Sequence, residues 1–495
     1  MKKDPFVLAY DLGTGGVKAA IVDPEGRVLR TSSADYPLYT PGPDMAEQDA
    51  EDYWQGLVRS TRAVFQDEVF DPSLCIGLAI GAMWRGITPV DPNGAPLSRG
   101  MIWLDTRARA EAEELMRIFP GRYFAPNEYW PKMLWLKRHC PDIVQEADQF
   151  LEANAFLKRR LTGTATSDPS NCYTDSFDPL LASFYREVRE YCSVPEDKFP
   201  ALIHSDDQAG TLLPEAADML GLPAGIPVFG GSGDIPAIAI GSGSSGIGSA
   251  HLYLGSSGWA GYSVAHRPGE QHGSGFDEAR DIDLFGLHSV GLSYRLAVRQ
   301  LYAAEYAAKG EAVFSEVDRQ AGEIPPGAGG VCAVPWFFGE DAPIGGKDAK
   351  GCYLNLGPNT DRRHMMRALL ESICYEFSLA MEFKEQRDGY PRPEFICAVG
   401  GGAQSAVWMQ MLSDVLNMPV RVIGSPRHAG ARGIAYHALK GLGITGSYEE
   451  AGKNTVSGTE YLPDPAHTEI YRQGTERFRS LYGTLRPVFT AEQKP

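Results

Sequence analysis

The chain has 495 residues, 43% hydrophobic and 22% charged, which is the composition of a soluble globular protein and too long for one ordinary core. Two domains of about 200–250 residues are therefore expected. The formal net charge of −17 argues against a nucleic-acid partner or an anionic membrane surface, although a few local amides and one lysine suffice to hold an anionic substrate.

Phe6 to Asp11 reads as a buried strand, Leu12-Gly13-Thr14-Gly15-Gly16 as a glycine-rich turn and Val17 to Val22 as the return strand of a hairpin. The strand begins almost at once and Asp11 breaks its apolar run, so neither a signal peptide nor a membrane span is expected. The eight cysteines are scattered, without a CxxC pair, as in a cytoplasmic protein with reduced thiols. Most such hairpins are only structural. This turn nevertheless combines open amides, the Thr14 hydroxyl and the following Lys18, a set that suits a phosphate nest. It is not a Walker A loop, which needs GxxxxGK[ST] leading into a helix. Asp11, at the mouth of the strand, is a hard oxygen donor able to hold Mg2+ through water.

Asp49 reads as the cap of an amphipathic helix whose Trp54, Leu57, Val58, Thr61, Val64 and Phe65 share one face. A strand at Cys75–Ile80 runs into the turn Gly81–Gly86, where Met83, Trp84 and Arg85 are candidates for lining a pocket. Trp103 to Arg107 ends another apolar run with a polar pair, for which an Asp105–Arg107 ion pair is the simpler reading. Helices are expected at 107–118, 132–139 and 154–161, and loops over the Thr-, Ser-, Asp- and Asn-rich stretch 161–179.

At Gly230-Gly231-Ser232-Gly233-Asp234-Ile235-Pro236, four small residues bring the backbone to a single carboxylate ahead of an apolar, helix-like run. The carboxylate can face a ligand at the positive end of that helix. By itself the segment is better read as a glycine-rich loop with a helix N-cap aspartate, the commoner occurrence. Gly241–Ser249 is too rich in glycine and serine for an element interior and marks a joint dividing the chain into 1–245 and 246–495. Immediately after it, His251–Leu254, Gly255-Ser256-Ser257-Gly258-Trp259 and a return strand through Tyr262 repeat the first hairpin, the sign of a duplicated architecture. A core-striped helix is expected from Asp361 to Lys384, then a strand at 395–399, the turn Gly400-Gly401-Gly402-Ala403-Gln404-Ser405 and a helix at 406–417. As a Rossmann fingerprint this turn is weak, since a serine replaces the third glycine and no acid follows about 20 residues on. A nucleotide base or ribose lying on the backbone fits it better.

In order and spacing these segments resemble the FGGY family of carbohydrate kinases over nearly the whole chain. Asp11 to Lys18 is similar to the family's first phosphate motif, Leu254 to Trp259 to its second, Val399 to Ser405 with Trp408 to its adenosine motif, and Ser232-Gly233-Asp234 to its catalytic loop. Ala46–Asp49, Trp103–Arg107, Pro131–His139 and Gly339–Pro343 with Ala349–Gly351 add to the likeness, and Pro131–His139 looks most like xylulokinases. The resemblance implies an α/β fold of two actin-like (ribonuclease-H-like, duplicated) ATPase domains with a cleft between them. The N-terminal domain, 1–245, would carry the sugar pocket, the first hairpin and the catalytic aspartate; 246–495 would carry the second hairpin and the adenosine site.

It further implies ATP and Mg2+ as cofactors, with Asp234 and Asp11 as catalytic and metal-binding residues. ATP would lie on Gly13, Thr14, Gly15, Lys18, Gly255, Ser256, Ser257, Gly401, Gly402, Ala403 and Ser405. The sugar would meet Met83, Trp84, Arg85, Trp103, Asp105, Asp234 and Ile235. The implied reaction is phosphorylation of a terminal hydroxyl of a small ketose, D-xylulose to D-xylulose 5-phosphate first. Two departures sit at the sugar: Trp84-Arg85 where xylulokinases usually have histidine after the methionine, and Ile235 where they usually have asparagine. Loss of a hydroxyl-binding group changes discrimination by as much as about 10⁴-fold, so another ketopentose, a ketohexose or a polyol (ribulose, fuculose or rhamnulose, erythritol or glycerol) is the alternative. An actin-like ATPase without sugar turnover is the rival from another class, and it leaves the Asp234 loop unexplained. Arg432 stands where many relatives have leucine, to touch nucleotide or to face solvent. Domain closure about Gly241–Ser249 is expected. The expected partners are sugar and ATP, with no nucleic acid and no membrane, and a homodimer is the commonest closed assembly for such a chain.

Overall fold

Near-continuous apolar runs such as 6–10 and 75–80 are the pattern of strands buried on both faces, and both become central strands. The computed structural model describes residues 4–270, 275, 277–288, 290–346, 348–454 and 458–490. The chain forms two compact units: Met1–Ser245 with Val264–Ile282 and His428–Thr455, and Gly246–Ser263 with Asp283–Arg427 and Val456–Pro495. A division at 245/246 alone misses the two segments that return to the first unit.

The first unit is built on a six-stranded sheet in the spatial order Gln208–Thr211, Pro227–Gly233, Cys75–Ala82, Phe6–Gly13, Gly16–Val22, Val28–Asp35. Phe6–Gly13, Cys75–Ala82 and Pro227–Gly233 run parallel, while the hairpin partners run antiparallel. Alternate residues point to opposite faces. Helix Ala50–Phe65 covers one face, with Gly56 against Val17. Helix Ala429–Gly441 covers the other, setting Ala438 and Ile434 over Gly77 and Gly81. This second helix is buried from Ala429 to Leu439, which is why residues 428–455 belong with a sheet some 200 residues earlier in the chain. It also packs on helix Asp234–Gly241 so closely that a Cβ at Gly241 would lie 1.8 Å from the Ala429 carbonyl oxygen, and one at Gly433 1.7 Å from that of Ala237.

Pro227–Gly233 keeps register with Cys75–Ala82 through Phe229 opposite Ala79, then gains one residue and resumes with Ser232 opposite Gly81. The extra residue is a β-bulge. At its centre Gly231 has φ +75°, and a Cβ there would sit 1.8 Å from the Ile80 carbonyl oxygen. The polar stretch 161–179 is irregular as expected, but it lies inside the protein. After a short strand, Thr166–Ser167, it turns through Asp168 and Asn171, both inaccessible to solvent. The glycine–serine joint is likewise no open linker: Ser242, Ser244 and Ser245 are buried, and Gly243 and Ser244 donate back to Ile240 and Ala239 of the preceding helix.

The second unit repeats the plan with a sheet ordered Arg280–Leu287, Gly258–Ala265, Ala250–Leu254, Ile396–Val399, Val420–Val422, Thr459–Tyr461. Its long helix, Arg362–Asp388, starts at a capping box of Asp361 and His364 and stops at Gly389 in the left-handed conformation. No disulfide is formed, and among the described residues no helix is long and apolar enough to cross a membrane.

Gly231→Ala combines a clash with backbone and a disfavoured φ, and is expected to cost more than about 4 kcal/mol in chemical denaturation, or to prevent folding. Gly401→Ala, at an exposed site where an added Cβ meets nothing within 4 Å, is the control and is expected to cost less than about 1 kcal/mol.

Candidate active site

The parallel strands of the first unit end together, the usual place for ligands in α/β sheets. One row across the sheet holds Lys18, Asp11, Gly81 and Ser232, each directly opposite the next. Lys18 is exposed, with Nζ 3.9 Å from Asp11 Oδ2. Gly13 pairs with Gly16, leaving Thr14 and Gly15 as a two-residue turn with Gly13 and Gly15 exposed. The turn is braced from behind: Gln48 donates to the Thr14 carbonyl at 2.7 Å, the Trp103 indole to Thr14 Oγ1 at 2.9 Å, and the Tyr36 hydroxyl to the Gly13 carbonyl.

Asp234 follows two residues beyond that row. The helix cap is Gly233, and Asp234 is the first helical residue, so it is not the N-cap that the sequence also allowed. Its Oδ1 accepts the Ile235 amide at 2.9 Å. Part of the side chain remains accessible, yet protein closes around the carboxyl and Asp11 lies near, and these two effects, burial first, push its pKa up to about 6.

Buried polar side chains hold the loop that carries Asp234. The carbonyl of Gly230, displaced by the bulge, accepts from Lys158 Nζ at 2.8 Å. The Gly233 amide donates to Ser170 Oγ at 2.6 Å, while the Ser170 hydroxyl donates to Asp168. Asp168 also takes Asn171 Nδ2 at 3.0 Å and the Asn154 amide nitrogen. Burial pushes the Lys158 ammonium down to about 8 and the Glu152 carboxyl up to about 8. From helix Ala429–Gly441, His437 Nε2 lies 2.8 Å from Ser232 Oγ and Nδ1 2.8 Å from the Tyr448 hydroxyl. None of these groups was among the residues singled out from sequence. For Asp168, Ser170 and Asn171 the only signal was the excess of polar residues in 161–179, and the others had none.

A cavity of about 690 Å³ in the first unit, within the size range of small-molecule sites, is lined by Trp84, Arg85, Glu128, Ser170 and Tyr173 among others. Asp234 does not line it. Ser170 does, and through the Gly233 amide it ends one residue short of Asp234. Arg85 adopts φ +61°, lies 4.0 Å over the Trp84 ring and pairs with Glu128 at 3.4 Å; among the described residues its buried Nε has no hydrogen-bond partner. Lys132, wholly buried, joins the Arg85 and Ile102 carbonyls at 2.8 and 2.6 Å, and burial pushes its pKa down to about 7.

The other residues assigned to the sugar from sequence are placed differently. Asp105 is inaccessible, its oxygens taken by Arg107 at 2.6 Å and the Ala46 amide at 2.8 Å. Trp103 spends its indole N–H on Thr14, and Met83 and Ile235 are buried. None of the four lines the cavity. Arg432 does not face solvent: it is buried and donates to the Gly26 and Gly241 carbonyls at 3.0 and 3.3 Å within the first unit.

In the second unit, Ala250–Leu254 lies parallel to Ile396–Val399, which puts the Gly255–Ser257 turn beside the glycine turn 400–402. Ser256, Ser257 and Gly401 are exposed and Gly402 partly so. Ala403 is buried, and Ser405 Oγ caps the next helix by accepting the Trp408 amide at 3.2 Å. Among the described residues no group of three or more His, Cys, Asp or Glu can hold a metal ion. Asp11 and Asp234 offer two hard oxygen donors, which suits an ion that keeps most of its shell as water and phosphate oxygen, as Mg2+ does.

In the unfolded chain the Asp234 carboxyl titrates near 3.8, whereas folded it keeps its proton up to about 6. Ionised Asp234 therefore lowers stability above pH 6, and that loss is recovered as pH falls towards 4. Without nucleotide or magnesium, Asp234→Asn is expected to stabilise the protein by about 1–2 kcal/mol at pH 7.5 and to give no gain at pH 4, as read by denaturant unfolding at both pH values.

Comparison with known proteins covers both units. The N-terminal domain model of the FGGY family of carbohydrate kinases matches residues 6–241 and the C-terminal domain model residues 292–442. The xylulose kinase of Escherichia coli K12 is 28% identical over 494 residues, covering 97% of this chain and 99% of the relative. An autoinducer-2 kinase of Photorhabdus laumondii is 26% identical over 514 residues, covering 96% and 94%. The crystal structure of a xylulose kinase from Rhodospirillum rubrum superposes with a TM-score of 0.78 at 24% identity, covering 98% and 99% of the two chains. Two sheets of one topology, each ending in a glycine hairpin, are thus explained by common descent: the chain belongs to the FGGY family of carbohydrate kinases.

Proposed function

We propose that this ATP-dependent sugar kinase phosphorylates the terminal hydroxyl of a small ketose, D-xylulose foremost, with Asp234 as general base. The observation that carries the reading is the setting of Asp234: a carboxylate at a helix N-terminus, next to a glycine loop held at Gly230 and Gly233, the latter by a side chain that lines the cavity. With its pKa pushed up to about 6, Asp234 is ionised near neutral pH yet basic enough to take a proton. It accepts the hydroxyl proton as the sugar oxygen bonds to the γ-phosphorus and the bond to the β,γ-bridging oxygen breaks, releasing ADP. Asp11, with Asp234, would hold Mg2+ largely through water. When bound, that ion neutralises charge on the phosphate oxygens.

Gly13, Thr14, Gly15 and Lys18, together with Gly255 to Ser257, are assigned to the phosphates, and Gly401, Gly402 and Ser405 to the adenosine. The sugar lies against Trp84 and Arg85, which line the cavity. D-Xylulose leads because relatives matched over nearly their whole length carry the xylulose kinase name. The Trp84–Arg85–Glu128 cluster favours keeping other small ketoses and polyols as the second reading, since it presents a stacked, charged surface in place of a single histidine.

Coupled ADP release across pentuloses, hexuloses and alditols tests the substrate. D-Xylulose is expected to give the highest kcat/KM, and a larger value for another sugar reassigns the enzyme. Asp234→Asn is expected to lower kcat at least about 10³-fold while retaining nucleotide binding. In the wild type, kcat/KM is expected to fall tenfold per pH unit below about 6, as the base becomes protonated. A flat profile down to pH 5 contradicts the assignment.

A further inference from the structure

We propose that His437 is a positioning residue for the catalytic carboxylate, acting through Ser232 as a neutral imidazole whose Nε2 carries the hydrogen. The role rests on the reading of Asp234 as the base.

The hydrogen placement follows from valence. The Ser232 hydroxyl has one hydrogen, and its oxygen lies 3.0 Å from the Gly233 carbonyl, which can only accept. The hydroxyl hydrogen therefore goes to Gly233, and His437 Nε2, 2.8 Å from the same oxygen, must be the donor. With no solvent access the ring is neutral, so Nδ1 bears a lone pair and accepts from the Tyr448 hydroxyl at 2.8 Å. The result is a one-way chain: Tyr448 O–H to Nδ1, Nε2–H to Ser232, Ser232 O–H to the Gly233 carbonyl. The opposite tautomer makes Nε2 an acceptor, draws the serine hydrogen to the ring and leaves the 3.0 Å contact without one.

The end point of the chain is what matters for function. The Gly233 carbonyl and the Asp234 amide belong to one planar group. Fixing that carbonyl fixes the plane from which Asp234 leaves the strand. The preceding peptide is fixed by Ser170, which accepts the Gly233 amide. Residues 230, 231 and 233 are glycine and have no side chains with which to hold themselves, so the loop takes its geometry from outside. Ser232 also lies in the row that contains Asp11, so the chain acts at the level of both acids. A displacement of about 1 Å at a reacting group is worth about 10²-fold in rate.

The test compares three replacements of His437 by steady-state kinetics, with thermal unfolding and ADP binding measured on each. A glutamine amide nitrogen falls where Nε2 was, and an asparagine amide where Nδ1 was. His437→Phe and His437→Asn are expected to lower kcat about 10- to 100-fold with KM for ATP changed less than about threefold, and His437→Gln to stay within about fivefold of wild type. Ser232→Ala is expected to reproduce the loss, and His437→Phe with Ser232→Ala to be no worse than either alone. Should the variants not fold, imidazole nitrogen NMR of ¹⁵N-histidine-labelled wild-type protein reads the tautomer directly. An Nε2–H signal that does not titrate between pH 5.5 and 8.5 is expected, and Nδ1–H or a protonated ring overturns the proposal. Equal losses in the glutamine and asparagine variants, with Asp234→Asn inactive, overturn the positioning role and leave the base intact. Near-normal turnover by Asp234→Asn removes the base, and the role of His437 with it.

Discussion

Between Phe229 and Ser232 the strand Pro227–Gly233 carries one residue more than the stretch Ala79–Gly81 it pairs with, and that insertion governs the first unit. Without it, Ser232 and Gly233 would meet different rungs of Cys75–Ala82 and Asp234 would leave the sheet one position out of step with Asp11. A bulge frees backbone groups that the ladder would have satisfied, and buried groups must find partners. The Gly230 and Gly231 amides donate to the Asp207 and Ser205 carbonyls, and the Gly230 carbonyl takes the Lys158 ammonium. The insertion needs glycine at 231, because any side chain would strike the Ile80 carbonyl, and a buried lysine satisfies the carbonyl at 230.

The site is thus supported by groups that are costly to bury. Lys132 and Lys158 have almost no contact with solvent and hold their protons less tightly than free lysines, and Glu152 holds its own more tightly. Replacing such groups by apolar ones is often neutral or stabilising, so stability alone does not account for them. What they share is a target. Lys132 joins the Trp84–Arg85 turn to the Ile102–Trp103 segment, Lys158 and Ser170 hold the loop before Asp234, and Trp103 braces the Thr14 turn. Functional side chains on loops gain accuracy from a rigid second layer, and here that layer is charged because the groups to be held are mostly backbone carbonyls.

Much of the plan was legible in the sequence. The two hairpins, the helix after Asp49, the long helix after Asp361 and the strand–turn–helix at 395–417 fall within a few residues of expectation, because each is encoded by local periodicity and glycine placement. The places of Asp11, Lys18 and Asp234 are local as well: Asp11 ends an apolar run, Lys18 follows a glycine turn and Asp234 precedes an apolar run. The sugar residues were less legible. Met83, Trp103, Asp105 and Ile235 sit next to candidate turns in sequence, but adjacency along the chain does not say which way a side chain points or whether a neighbour such as Arg107 already occupies it.

The sequence by itself determined the elements, the duplicated hairpins and the carboxylates on which phosphoryl transfer would rest, since these depend on residues close together in the chain. Only the tertiary structure decided what holds those carboxylates. Ser170 lies 63 residues from Gly233, Lys158 72 from Gly230 and His437 205 from Ser232, and no periodicity carries information across such separations. It also assigned residues 428–455 to the first sheet and buried Arg432 there, because that face was apolar and open until a later helix covered it.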